Sequence, residues 1–537
     1  MGLRDTFGAL FGAGARPQPA ATRAYGAAPL APPAYRAASG LSQELASYWP
    51  SITSGDSASL PNLRISLDRA RDLVRNDPHA GAGVDRLVDM LVGDGWEVVP
   101  TPDYVALGID REAAYAVGRQ IRSEWKRFTR HPRKFCDARR RLTMDGVFRQ
   151  AARTMATANE ACVALKFRPE ADGLRYQTAV ALVDPDRLSN PGGRPDTRAL
   201  RGGVEFDADG APVAYHVRQA HVADYWDAAR AMNWIRIQRE TAEGRPVFVH
   251  AFEGDREDQT RAVTAFASLV SRLHMLGKFS DVELANATAN ALIAAHVETD
   301  MPAQEMADRL AAPSGAEDAN IKAGWTAGLV NYFMKNPVSL GGVRIPVLPV
   351  GSKIRLNNAP RQTVAFSQFQ TSFLRSIASR LGISYEQLSH DWSQVNYSSA
   401  RAALNEVWRT VKRMQAVFAE QFVTPIYFAF LDEAFHKGYV TPPAGAPSFW
   451  DAPEAWCAAR WIGPGRGYID PTKEAEASAM RMVNLTSTLE AECAEQGVDH
   501  LDVLDQLERE KKELEARGLS RAPAQQKQAA QPETNSP

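Results

Sequence analysis

Two aspartates one residue apart, Asp184 and Asp186, come closest to a catalytic pair in this sequence. Carboxylates so placed can act as general acid and base or hold a divalent metal. They also flank Pro185, and Asp-Pro-Asp forms a turn in its own right: proline fixes one dihedral and the aspartates bond nearby amides. The turn is the simpler reading. Gly463-Pro464-Gly465-Arg466-Gly467 has glycines enough to wrap an anion in backbone amides. A plain turn again suffices. The third candidate is a basic run: Arg119, Arg122, Lys126, Arg127, Arg130, Arg133, Lys134, Arg139, Arg140 and Arg141. Trp125, Phe128 and Phe135 interleave with it, as in a nucleic-acid surface where cations meet phosphates and rings meet bases. A solvated helix face, or contact with an acidic neighbour, explains the same residues.

Other chemistry lacks its residues. A phosphate-binding loop needs Gly-x-x-x-x-Gly-Lys-Ser/Thr. Gly277-Lys278 lacks the upstream glycine and runs into Phe279. There is no Gly-x-Ser-x-Gly elbow and no His-Glu-x-x-His pair. Cys136, Cys162, Cys457 and Cys493 lie far apart, without zinc spacing, and read as free thiols in a reducing compartment. The chain is therefore expected to be no enzyme and to carry no cofactor or metal. Its 62 basic and 63 acidic residues give a net charge of -1. A protein that grips nucleic acid tightly is usually basic; this one would let DNA slide. No stretch reaches the ~18–20 apolar residues of a membrane span, and the N-terminus, with Leu10-Phe11, has no adequate secretory core.

The elements that must position these residues follow from periodicity. At 537 residues, two to four domains are expected. Residues 1–40, rich in Ala, Pro, Gly and Arg, read as a flexible arm, and 518–537 as a disordered tail. A helix is predicted over 64–92, interrupted at Pro78, then a strand over 96–99. Helices follow over 112–128 and 143–159. Between 163 and 252 the period changes to short strand-like runs bounded by Gly, Pro and Asp, a small β-rich module. Val263, Phe266, Leu269, Val270, Leu273, Leu276 and Phe279 then predict a helix over 261–298. Fully helical, it would span about 57 Å, too long for a compact monomer. Residues 300–345 read as irregular, followed by a Pro-rich strand pair (RIPVLPVGSKIRL). Helices are predicted over 366–380, over 398–437 with a kink at Pro425, and over 471–517. The class is α+β and mostly helical.

Several blocks carry a resemblance. Asn396-Tyr397-Ser398-Ser399-Ala400-Arg401, followed by a helix with Trp408-Arg409, resembles the signature of lambda-type portal proteins of tailed phages. Other blocks agree in order: Val74-Arg75-Asn76-Asp77-Pro78 with Val92-Gly93-Asp94-Gly95-Trp96; Asp184-Pro185-Asp186-Arg187-Leu188; Gly202-Gly203-Val204-Glu205-Phe206-Asp207 with Pro212-Val213-Ala214-Tyr215-His216; Val249-His250-Ala251-Phe252 with Asp255-Arg256; and Ile469-Asp470-Pro471-Thr472-Lys473-Glu474. They cover about 60–515. Two positions depart: Asn484-Leu485 stands where Gly-Leu is expected, and Ala158-Asn159-Glu160 where Gly-Glu is usual.

The resemblance implies a ring-forming subunit of about twelve copies (a homododecamer) around a DNA channel at one capsid vertex. Double-stranded DNA is packaged and ejected through that channel. The implied divisions are a flexible arm 1–40, wing 41–142, first stem helix 143–162, β-rich clip 163–252, second stem helix 253–299, tunnel loop 300–345, wing 346–440, crown 441–517 and tail 518–537. The implied partners are the terminase large subunit, which would supply the missing ATP site, head-tail connector proteins, major capsid and scaffold proteins, and double-stranded DNA. The implied location is the virion, and the host cytoplasm during assembly. Lys322 and Lys335 are the candidate channel residues, since a ring repeats one charge many times. Asn396, Tyr397, Ser398, Ser399, Arg401 and Trp408 are the structural motif residues, with Trp408 a core or interface anchor. The rival readings are a hydrolase, another virion head protein, and a DNA-binding module using the basic run.

Overall fold

Asp77 and Pro78 split the first predicted helix in two. α1 (Leu63–Asn76) ends at Asp77, whose carboxylate accepts the Ala80 amide at 2.8 Å and caps α2 (Pro78–Leu91). Proline has no amide to lose at the first helical position, so the break falls there at little cost. The computed structural model describes residues 47–168, 173–293, 339–340, 343–344, 363–393, 396–467 and 470–519. Residues 1–54 and 55–537 form separate units; in the first only 47–54 are described, and they hold no regular element. The arm assigned to 1–40 and nearly all of the tail assigned to 518–537 lie outside the described residues.

After α2 come β1 (Glu97–Pro100), α3 (Arg111–Thr129) and α4 (Met144–Ala158). α4 is enclosed on its apolar face: Met144, Val147, Phe148, Ala151 and Ala152 are buried. Its exposed face carries Arg149, Gln150 and Arg153. β2 (Glu160–Phe167), β3 (Thr178–Val183) and β8 (Phe248–Phe252) make an antiparallel sheet of order β3-β2-β8. Inserted between β3 and β8 is a second antiparallel sheet: β4 (Leu200–Arg201), β5 (Val204–Phe206), β6 (Pro212–Arg218) and β7 (Trp234–Gln238). The predicted β-rich module is therefore two sheets, and β7 was not foreseen.

The predicted helix over 261–298 is shorter. α5 runs Val270–Ile293, after a 3-10 turn at Ala265–Ser268. The reason lies in Arg261 and Thr264. Arg261 is buried in an ion pair, and the Thr264 hydroxyl donates to the Thr157 carbonyl at 2.6 Å while accepting the Phe266 amide. Val263 packs in irregular chain and Phe266 in the 3-10 turn, despite their α-helical spacing. At ~1.5 Å per residue α5 spans about 36 Å.

A short hairpin pairs Ser339–Leu340 with Val343–Arg344; the predicted Pro-rich strand pair beyond Arg344 lies outside the described residues. Next come α6 (Thr363–Leu381), α7 (Tyr385–Ser389) and α8 (Tyr397–Phe418). α8 continues through a π turn at Ala419–Val423 into α9 (Thr424–His436). The expected kink is this wide turn just before Pro425, which leaves room for the proline ring. β9 (Ala459–Ile462) pairs antiparallel with β1, Val98 opposite Trp461. The predicted 471–517 helix is three: α10 (Pro471–Val483), α11 (Leu489–Glu495) and α12 (His500–Ala516), capped by Asp470, Thr488 and Asp499.

One core joins early and late segments. Trp125 of α3 lies 5.4 Å from Tyr427, 5.0 Å from Phe430 and 6.0 Å from Trp461, ring centre to ring centre. Glu433 of α9 accepts the Gln177 and Thr178 amides at 2.6 and 2.8 Å, satisfying the start of β3. Trp456, Phe449 and Phe430 are buried in the same cluster. The architecture is α+β, as expected.

Candidate functional site

The aspartate pair is the turn. Asp184 accepts the Asp186 amide at 3.1 Å and caps the short 3-10 turn at Pro185–Arg187. The Arg71 guanidinium forks across both carboxylates, with Nη2 2.6 Å from Asp184 Oδ1 and Nη1 on Asp186 Oδ2. His221 Nε2 lies 3.1 Å from Asp186 Oδ2. Burial pulls the Arg71 pKa down, but the two carboxylates outweigh it and hold the guanidinium protonated. Both carboxylates are used structurally.

Beneath that turn lies a fully buried charge cluster that the sequence did not single out. Glu160 Oε2 is 2.8 Å from Arg261 Nε and 2.9 Å from His250 Nε2, and Oε1 is 2.5 Å from Arg261 Nη2. Arg261 donates further to the carbonyls of Leu188 (2.8 Å), Pro185 (2.9 Å) and Gly202 (3.0 Å). Burial pushes the Glu160 carboxyl up; the Arg261 charge and the bonds from Arg261 and His250 overcome that and hold it at about 2. Burial keeps His250 neutral, its pKa lowered despite Glu160. The resembling blocks at 184–188, 202–207 and 249–252 meet here. Their spacing does not foretell this: Arg261, which binds the Pro185, Leu188 and Gly202 carbonyls, and Glu160, which binds His250, lie in none of these blocks.

The basic run divides. Arg122 lies 2.7 Å from Asp499 and 2.5 Å from Asp502, and Lys126 3.3 Å from Asp502. Arg130 pairs with Glu97. Trp125, Phe128 and Phe135 are buried and offer no face to a base. Arg122 and Lys126 thus meet an acidic neighbour supplied by this chain's own C-terminal segment. Arg139 and Arg141 stay exposed.

The signature segment opens α8. Asn396 is exposed; Tyr397, Ser398 and Ser399 form the first turn, their side chains outside the described residues. Arg401 is exposed and lines a cavity of about 310 Å³ with Gly465, Arg466, Glu474 and Arg481. There the Asn396–Arg401 and Ile469–Glu474 blocks converge. Gly465 presses on the backbone of Gln496, where a Cβ would lie 2.4 Å from a carbonyl carbon. Arg466 donates to Asn405 Oδ1 at 3.1 Å and stands 3.6 Å from Glu474, and Arg481 binds Glu492 at 2.5 Å. The glycine loop is a packed turn, its charges matched by carboxylates. Trp408 is half-buried, with the Lys412 ammonium 5.3 Å from its ring centre, so it is no core anchor within one subunit. Lys322 and Lys335 lie outside the described residues.

Among the described residues no group of His, Cys, Asp and Glu could hold a metal, and no helix is long and apolar enough to cross a membrane. The family model described as "Phage portal protein, lambda family" matches residues 42–415. The portal protein of Escherichia phage N15 is 34% identical over 484 residues, covering 90% of each chain. Portal protein B of Escherichia phage lambda is 33% identical over 482 residues, again 90% of each. The chain belongs to the lambda family of phage portal proteins. Among solved structures, "Neck of empty GTA particle computed with C6 symmetry" aligns with a TM-score of 0.38 and 12% identity, over 80% of this chain and 93% of that one.

In this portal subunit the family blocks serve as joints. Asp77 caps α2 and Asp470 caps α10. Trp96 donates from its indole to the Leu91 carbonyl at 2.9 Å, closing the Gly93–Gly95 turn. Gly203, at φ +83°, sits where a Cβ would be 2.4 Å from the Ser189 amide nitrogen. The departure at Asn159 is explained by its φ of +63°: asparagine tolerates the left-handed C-cap that glycine usually fills. At the other departure it is Leu485, not Asn484, that takes positive φ, at +57°.

Proposed function

We propose that this portal protein assembles as a ring of about twelve subunits at one vertex of the virion head. Double-stranded DNA would be packaged and ejected through its centre. The observation that carries this reading is the match to lambda and N15 portal proteins over 90% of the chain. A head-tail location in the virion follows from the family. The finer points are proposed on the same ground. They are assembly in the host cytoplasm, docking of the terminase large subunit and of head-tail connector proteins, and contact with major capsid and scaffold proteins.

The architecture is consistent with that assignment. α5 leaves the core after Leu276: Met275, Val282 and Leu284 are all more than 60% exposed. Exposed apolar side chains on such a helix call for cover, and a neighbouring copy supplies it. We assign α5 and the polar face of α4 to the stem, the two sheets of 163–252 to the clip, 300–345 to the tunnel loop, the remaining helices to the wing, and α10–α12 to the crown. Enzymatic activity is not part of this reading; packaging energy comes from a separate ATPase.

Native mass spectrometry of the purified full chain tests the proposal. A closed ring is expected, and a stable monomer at micromolar concentration would sink it. Metal-dependent DNA cleavage or ATP hydrolysis by the pure protein would argue for the hydrolase alternative.

A further inference from the structure

Residues 470–519 fold as a lobe of three helices, α10–α12, and almost nothing apolar holds it in place. Among its described residues four side chains are buried: Cys493 and the carboxylates Glu474, Glu492 and Asp499. No aliphatic or aromatic side chain of the described lobe is buried, and α12 buries no residue of any kind. Met480, Val483 and Leu485 face outward, all more than 60% exposed. Helices of 13 and 7 residues, the lengths of α10 and α11, are marginal on their own in water. Burial of apolar surface is what ordinarily fixes such helices to a body. Here another force must do so.

That force is charge. Arg122 of α3 reaches Asp499 with Nη1 at 2.7 Å and Asp502 with Nη2 at 2.5 Å. The Asp499 side chain is wholly enclosed, and its other oxygen accepts the Leu501 amide at 3.1 Å. One carboxylate thus starts α12 and ties it to the body. Lys126 adds a second cation to Asp502 at 3.3 Å. Elsewhere on the lobe, Arg460 of β9 holds Glu490 at 2.5 Å, and Arg466 stands 3.6 Å from Glu474.

These links are unequal. Both partners of Arg460–Glu490 and of Lys126–Asp502 are about a third exposed or more, and pairs open to water contribute little. Arg122–Asp499 is enclosed, so removing one partner leaves the other charge buried and unmatched. The lobe follows β9 through the Gly463–Gly467 loop. A Cβ on Gly467 would meet nothing within 4 Å, so the chain has room to turn there.

We propose that α10–α12 is a hinged lobe, docked by the Arg122 clamp and released as one unit, about Gly467, when that clamp opens. Docked and released forms exchange in solution, and the docked form dominates while Arg122 is paired. The device belongs to the single subunit and stands whether or not rings form. In the portal reading the lobe is the proposed crown, so its release changes the crown and spares the wing and clip.

Peptide-resolved hydrogen exchange of the full chain tests this. Arg122→Gln should speed exchange by about tenfold or more across α10, α11 and α12 together, since an enclosed pair is lost. α9 and β2 should keep their wild-type protection. Asp502→Asn leaves the Asp499 cap in place and should speed exchange about threefold over the same three helices. That variant carries the test if Arg122→Gln does not fold. Arg409→Gln removes an exposed charge of α8 and should leave the lobe within about twofold of wild type. In the wild type, raising NaCl from about 0.05 to about 1 M should speed exchange in the lobe more than in α9, because the outer pairs are screened. Faster exchange confined to residues around 499–502 would mean local fraying and would overturn the proposal. So would equal acceleration in α9 and β2, which would make the lobe part of the body's own unfolding. Wild-type protection of all three helices in both clamp variants would overturn it as well.

Discussion

Glu160 is a buried carboxylate whose two oxygens are shared by Arg261 and His250. Removing its charge strands Arg261 in the interior. Glu160→Gln is expected to cost on the order of 3–5 kcal/mol, read as a lower melting temperature; an unchanged melting curve would show that the cluster does not hold the two sheets to α5. Acid sensitivity follows with a definite sign. The Glu160 pKa falls from an ordinary 4.5 to about 2 in the fold. Its contribution is complete above about pH 4.5 and lost as pH falls toward 2. His250 is also depressed in the fold, so the unfolded chain takes its proton first and stability declines as pH drops below about 6.5. Thermal melts at pH 7, 6 and 5 should show that early decline in the wild type and a flatter profile in His250→Gln, whose amide can still donate to Glu160. Trp408 has a different place from the one its spacing suggested. Half-buried and flanked by Lys412, it should cost a single subunit less than a core tryptophan when changed to alanine. If the ring covers it, Trp408→Ala should weaken assembly, as native mass spectrometry at falling concentration would show.

Among elements, strongly periodic helices were legible: α3 and α4 fall within a residue or two of where their apolar spacing put them. α5 was misread over its first nine residues because Val263 and Phe266 keep α-helical spacing while Arg261 and Thr264 hold that stretch out of the α-helix. β9 was missed because the bare sequence ARWI gives no sign of it; it exists by pairing with β1, more than 350 residues away. The partners of Arg122 were hidden in the same way, since Asp499 and Asp502 lie at the far end of the chain. The signature segment was readable as sequence, but the cavity it shares with Glu474 was not. Asn159 makes a test at this scale. With φ at +63°, Asn159→Gly should be neutral to within about 0.5 kcal/mol, whereas Asn159→Val should cost about 1–2 kcal/mol. Equal melting temperatures for both would show that the cap relaxes.

At the scale of the molecule, a formal charge of -1 is built from local matches. Asp499 and Asp502 of the C-terminal segment meet Arg122, Asp502 also meets Lys126, and Glu97 takes Arg130. Those matches could not be seen in composition, because neutral totals say nothing about placement.

The pairing of β1 with β9 has a further consequence. The segments before residue 294 and after residue 362 do not fold side by side; they interleave. Trp125 is surrounded by Tyr427, Phe430 and Trp461, and the start of β3 hangs on Glu433. A chain cut once between these segments should stay in one piece under native conditions and separate only in denaturant. The two fragments, coexpressed, should find each other and co-purify, whereas either alone should be insoluble. Evolution could then lengthen or replace the intervening stretch freely, since the two arms of the knot-like core grip each other without it.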